Sequence, residues 1–92
     1  MSRKEAREVI MKYLYQMEIN EDYSLDRLQY LYNDRIDEDD INFIDRSLKS
    51  IVLNLNDLDQ KIDKFLKGWK SNRIPKIDLA ILRLAINEID NL

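Results

Sequence analysis

In 92 residues the chain holds a single glycine, Gly68, and a single proline, Pro75. Hairpins and sandwiches need turn residues at short intervals. Their scarcity, beside many Leu, Ile, Lys, Glu and Asp, points to an all-α fold. A chain of this length suits one domain, residues 1–92, with a modest core. The two turn residues bracket the start of the most apolar helix-length stretch, WKSNRIPKIDLAILRLAINEI, from Trp69 to Ile89. From Pro75 onward, Ile77, Ala80, Ile81, Leu84, Ala85 and Glu88 form one row at spacings of three and four. Leu79, Leu82, Ile86 and Ile89 form a second apolar row beside it, which leaves Lys76, Arg83, Asn87 and Asp90 as the expected solvent stripe. A helix apolar over most of its circumference packs between several neighbours, not against one. The expectation is a helical bundle of about five helices around this central apolar helix.

The other helices follow from the same periodicity. Residues 2–19 predict a first helix with Ala6, Val9, Ile10, Tyr13, Leu14 and Met17 inward and Arg3, Arg7, Met11 and Tyr15 in a row along its flank. After a polar break at 20–22, Ser24 suits the N-cap of a short helix that turns Leu25, Leu28, Leu31 and Tyr32 inward and ends near Asn33. Residues 35–40 form an acidic linker whose last aspartates belong at a helix N-terminus, where negative charge and a side-chain acceptor are favoured. The next helix carries Ile41, Ile44, Leu48, Ile51, Val52 and Leu55 on one face and runs to about Asn54. Asn56 or Asp57 can cap a fourth, with Leu58, Ile62, Phe65, Leu66 and Trp69 inward and Lys61, Lys64, Lys67 and Lys70 outward. Gly68 is placed to close that helix in the left-handed conformation, and Pro75 fits the first turn of the last one.

Composition excludes most catalytic chemistry. There is no Cys and no His, hence no disulfide, thiolate, imidazole base or imidazole ligand. The run Asp37-Glu38-Asp39-Asp40 lacks the alternating ligands and turn glycine of a calcium loop, so capping and solvation explain it better than a metal. Asp78 and Glu88 sit about 15 Å apart along one helix, too far to act as acid and base on one bond. No catalytic residue, metal or cofactor is expected. No apolar run reaches the roughly 18–20 residues of a membrane span, and the mixed charges of the first eight residues do not read as a signal peptide. A soluble, cytoplasmic protein is the default. The net charge of −3 is segregated: residues 19–45 hold nine acidic and two basic residues, residues 46–76 eight basic and three acidic. Fields decay over about 8 Å in physiological salt, so a basic face can still attract an anion.

Three segments carry a family pattern. SRKEAREVIMKYLYQMEI is similar to a block R-x-x-A-R…LYQ-x-E, and FIDRSLKSIVLNLNDLDQKIDKFLKGW to a pattern F…L…G-V…N…I-D…I…Y-L…W. RIPKIDLAILRLAINEI follows R-[LI]-x-[KR]-[VI]-D-x-A-I-L-R-L-A-x-Y-E. In this order and spacing the chain resembles the NusB family, small helical RNA-binding proteins of transcription antitermination. It departs from that pattern at Asn87, where the family commonly has Tyr, and at Lys49-Ser50, in place of a small residue or Gly. The family also continues beyond the central helix with a Pro-containing turn and two further helices, whereas this sequence stops at Leu92. The expectation drawn from that comparison is an incomplete second bundle, with Leu79, Leu82, Ile86 and Ile89 left uncovered as a protein-interaction row through which the chain self-associates.

The resemblance implies boxA-like single-stranded RNA as ligand, NusE as protein partner, the transcription elongation complex as setting, and no membrane. It assigns phosphate or base-edge contacts to Arg3, Lys4 and Arg7 and base stacking to Tyr15. Arg73 and Lys76, flanking Pro75, are the strongest candidates of the second basic run. Trp69 continues an inward stripe and reads as a core residue rather than a stacking platform. Without the resemblance, the same N-terminal residues read as a solvated helix start. Two other functions remain open from sequence: a helical interaction or dimerisation module without RNA binding, and the NusB-like domain of a ribosomal RNA methyltransferase system.

Overall fold

A computed structural model describes residues 1–26, 28, 36–67 and 73–92, and among these the secondary structure is helical. Four helices are seen: α1 (Arg3–Asn20), α2 (Glu38–Leu53), α3 (Leu55–Phe65) and α4 (Lys76–Asn91). They correspond to the first, third, fourth and fifth expected helices. Most of the second expected helix, with Leu31 and Tyr32, lies outside the described residues, as do Gly68, Trp69 and Lys70. The all-α class holds.

The starts of α1 and α2 have a local chemical cause. Ser2 caps α1, its hydroxyl accepting from the Glu5 amide at 3.1 Å while the Glu5 carboxylate accepts from the Ser2 amide at 3.2 Å. This reciprocal Ser-x-x-Glu box satisfies orphan donors at the N-terminus. At the other end Glu21 turns left-handed (φ 53°), and the amides of Glu21 and Asp22 donate back to the carbonyls of Glu18 and Met17. The N-cap of α2 is Asp37, ahead of the last aspartates of the linker, which fall in the first turn; its side chain accepts from the Asp40 amide at 2.9 Å.

Between α2 and α3 the chain breaks only at Asn54. The expected cap at Asn56 or Asp57 is therefore displaced: Asn54 stands at N-cap but makes no side-chain cap bond, because its amide turns back to donate to the Ser50 carbonyl at 2.8 Å. Lys67, just after α3, is left-handed (φ 46°), and the expectation for Gly68 lies outside the described residues. Pro75 occupies the N-cap of α4, and its carbonyl accepts from the Leu79 amide at 3.0 Å.

The core is where α1, α2 and α4 meet. Ala6, Ile10, Leu14 and Met17 of α1 pack with Phe43, Ile44, Leu48 and Ile51 of α2, Ala80 and Leu84 of α4, Leu58 of α3 and the isolated Leu28. Ion pairs from Arg7 to Glu88 at one end and from Glu18 to Lys76 at the other run α1 and α4 antiparallel. The N-terminal amine pairs with Asp40 at 3.0 Å and lies beside α2.

Burial corrects the expected orientation of α4. Arg83, 4% exposed, and Asn87, fully buried, belong to the interior and not to a solvent stripe, whereas Ile77, Ile81 and Ala85 of the supposed core row face solvent. The second apolar row is not uncovered as a unit: Leu79 is buried, Leu82 and Ile86 are half-buried, and Ile89 alone is largely exposed, at 80%. The reason is that a helix apolar nearly all round has no hydrophobic preference for one face; specific polar partners then decide the rotation. Phe65 also departs from its expected inward place and is 71% exposed on α3.

Candidate functional site

The flank row of α1 continues Arg3, Arg7, Met11 and Tyr15 with Glu18, one residue per turn over about 22 Å. At its start the Arg3 guanidinium lies 3.9 Å from the centre of the Phe43 ring, a cation–π contact that ties α1 to α2. One turn on, Arg7 reaches α4. Its Nε donates to both Glu88 carboxylate oxygens at 3.0 Å, and Nη2 lies 2.9 Å from Oε1. Between these residues and the next turn an open groove of about 290 Å³ runs along the α1–α4 seam, lined by Lys4, Arg7, Glu8, Met11, Ile81 and Leu84. Its floor is apolar and its rim is charged. Tyr15 is half-buried against the core, and Lys76 stands at the far end of the row, 3.6 Å from Glu18. Arg73 is exposed just before Pro75.

All six residues with an expected RNA role are thus placed. Lys4 and Arg7 line one end of the α1–α4 groove, Arg3 lies over Phe43 of α2 one turn before Arg7, Tyr15 packs against the core further along α1, and Lys76 is at the other end beside Glu18. Three of them are already engaged within the chain: Arg3 by Phe43, Arg7 by Glu88 and Lys76 by Glu18. Lys4 and Arg73 project into solvent.

Glu18 and Arg83 form a second cluster that sequence reasoning missed. The buried Arg83 fork donates from Nε and Nη2 to the two Asp59 oxygens at 2.8 Å, and from Nη1 to Glu18 and to the Tyr23 hydroxyl, both at 2.8 Å. Tyr23 in turn donates to Glu18. One guanidinium therefore joins α1, α3, α4 and the segment after α1. Burial opposes its charge, but the hydrogen bonds and charge of Asp59, then Glu18 and Tyr23, outweigh that and raise its pKa. Burial also works against the Glu18 carboxylate, yet the hydrogen bonds from Tyr23 and Arg83 hold its pKa below the ordinary value. Burial and the bond to Glu18 push the Tyr23 phenol up to about 12. Four of the five guanidinium N–H groups are taken up within the cluster, which is built for cohesion.

Asn87 lies behind it, between α2 and α4. Its side-chain oxygen accepts from the Ser50 hydroxyl at 3.1 Å and from Asn91 at 2.9 Å, while its amide nitrogen and the Ser47 hydroxyl are buried without a protein partner. Sequence held one usable signal for the Glu88 contact, a carboxylate set in an otherwise apolar row, which needs a cation nearby. For Arg83 it held none, since its partners are 24, 60 and 65 residues away.

Among the described residues no group of three or more His, Cys, Asp or Glu could hold a metal, and no helix is long and apolar enough to cross a membrane. The family model described as the NusB family matches residues 4–92. The chain is 44% identical to the transcription antitermination protein NusB of Alkaliphilus oremlandii, over 97% of its own length and 65% of that protein's. It is 42% identical to the protein of the same name from Acetivibrio thermocellus, over 97% of the chain and 62% of the relative. For Clostridium acetobutylicum the figures are 41%, 97% and 67%. The chain thus spans about two thirds of the length of these relatives. No solved structure gives a significant match.

Proposed function

The chain belongs to the NusB family, and from that premise we propose that it acts as a cytoplasmic, single-domain RNA-binding adaptor in transcription antitermination, holding boxA-like single-stranded RNA together with NusE in the transcription elongation complex. It works by binding rather than catalysis. One observation supports the RNA assignment: Arg3, Lys4 and Arg7 stand in the first two turns of α1, Lys4 and Arg7 on the rim of the α1–α4 groove and Arg3 over Phe43 of α2, with half-buried Tyr15 on the row of Arg3 and Arg7. Guanidinium and ammonium groups suit phosphates, and an aromatic face suits an unstacked base. Arg73 and Lys76 extend the cationic path at the far end. The RNA sequence and NusE come from the family alone.

Salt dependence tests the reading. Affinity for a short single-stranded RNA should fall with salt, and replacing Arg3, Lys4 and Arg7 together by Ala should flatten the log–log slope by about 2, at roughly 0.7 per phosphate contact. An unchanged slope removes these residues from the RNA path.

A second reading, a helical interaction module, is supported by the exposed apolar band Ile77, Ile81 and Ile89 on α4. Contiguous apolar surface of this kind often meets a partner. Of the expected interaction row only Ile89 lies fully on that band. Sedimentation across a range of protein concentration distinguishes a self-associating chain from a monomer.

A further inference from the structure

We propose that Glu88 is an intramolecular competitor for Arg7, so that an RNA phosphate engages this arginine only by displacing the carboxylate; the inference rests on the RNA-binding reading above. Glu88 takes Nε and Nη2, the edge of the guanidinium that binds two oxygens side by side, and a phosphate recognised bidentately would need that same edge. The pair is positioned for exchange. Arg7 is about half exposed and Glu88 is more enclosed, so a ligand arriving from solvent meets the arginine first. Ion pairs this exposed are weak, which makes displacement by a phosphate feasible.

The charge around the groove gives the same result. With Glu88 in place Arg7 is neutralised, and the rim presents Lys4 against Glu8. Once Glu88 is displaced, Lys4 and Arg7 together outweigh Glu8. The contact spans residues 7 and 88 on two different helices, so occupation of Arg7 by RNA also loosens one tie across the α1–α4 seam. Glu88 thereby sets the threshold for RNA binding at this end of the path and raises the number of contacts that a ligand must make elsewhere to hold.

The test is a double-mutant cycle read by fluorescence anisotropy of a labelled boxA-like RNA over a range of KCl. It uses the whole chain as wild type, Glu88→Gln, Arg7→Gln and the double variant, with circular dichroism to check that each is folded. Glu88→Gln should tighten binding about two- to fivefold, the range that an exposed ion pair is worth, with little change in the salt slope, because the same Arg7–phosphate contact forms in both proteins. In the Arg7→Gln background the same change should have no effect. Glu8→Gln, which removes a carboxylate from the same rim, serves as the control for charge alone. Equal tightening in both backgrounds, or by Glu8→Gln, overturns the proposal in favour of general electrostatics. Weaker binding by Glu88→Gln overturns it too, because Glu88 then orients Arg7 for the ligand. If wild type binds and Arg7→Gln weakens binding while Glu88→Gln changes nothing, this inference fails and the RNA reading stands. If none of the four proteins binds RNA, both fall.

Discussion

Arg83 is a tertiary tie at the level of a single side chain: one buried guanidinium joins three helices through Asp59, Glu18 and Tyr23. Removing it leaves the partly enclosed Asp59 carboxylate without its cation and Glu18 with only Tyr23 and the more distant Lys76. Arg83→Ala should therefore lower stability by about 3–5 kcal/mol, read from the urea midpoint, a large share of what a chain of this size possesses. The cluster also ties stability to pH at both extremes. Glu18 is held below its ordinary pKa in the folded state, so its contribution is present above the unfolded value and is lost as pH falls through the folded one. Tyr23 is raised from 10 to about 12, so its contribution is full below pH 10 and disappears between pH 10 and 12. Denaturation at several pH values should show both losses in wild type, with the alkaline loss reduced in Tyr23→Phe and the acid loss reduced in Glu18→Gln. None of this was legible in sequence. An arginine amid Ile, Leu and Ala looks the same whether it faces water or a pair of distant carboxylates, and here it was assigned to solvent.

Among the elements, periodicity places the inward faces of α1 and α2 as they are found and that of α3 except at Phe65, while it misplaces the faces of α4. The set Ile44, Leu48 and Ile51 of α2 is buried as spacing requires, as are Leu58 and Ile62 of α3 and Ile10, Leu14 and Met17 of α1. In α4 apolar residues occupy most of the circumference, so periodicity fixed the helix without fixing its rotation. The structure settles that rotation through Arg83 toward α3 and Asn87 toward Ser50 of α2. Two residues of one expected row then separate sharply. Leu79→Ala should cost about 2–5 kcal/mol, the range for a buried leucine, whereas Ile89→Ala should stay within about 0.5 kcal/mol. Similar midpoints for the two variants would mean that α4 is turned otherwise. Loop details were the least readable part: a side chain that caps a helix and one that folds back on its own carbonyl, as Asn54 does, have the same residue type.

At the scale of the molecule, the antiparallel α1–α4 pair is the frame. One side of the frame joins the core with α2, and its seam presents the cationic end and the apolar groove. The family was legible because the motif residues survive as a set: the arginines of α1, the α2–α3 stripes and the Ile-Leu-Arg-Leu-Ala run of α4, where Arg83 proves to be structural. The candidate RNA residues were legible only as types. Which of them are engaged within the chain depends on Phe43, Glu88 and Glu18, residues that meet them only after folding. Equilibrium titration decides whether this frame holds a specific RNA together with a protein partner, as proposed. Labelled boxA-like RNA and a scrambled RNA of equal length and composition are titrated with the chain at physiological salt, with and without NusE. The account predicts tighter binding of the boxA-like RNA and a wider gap between the two when NusE is present. Equal affinity for both RNAs, unchanged by NusE, would contradict it.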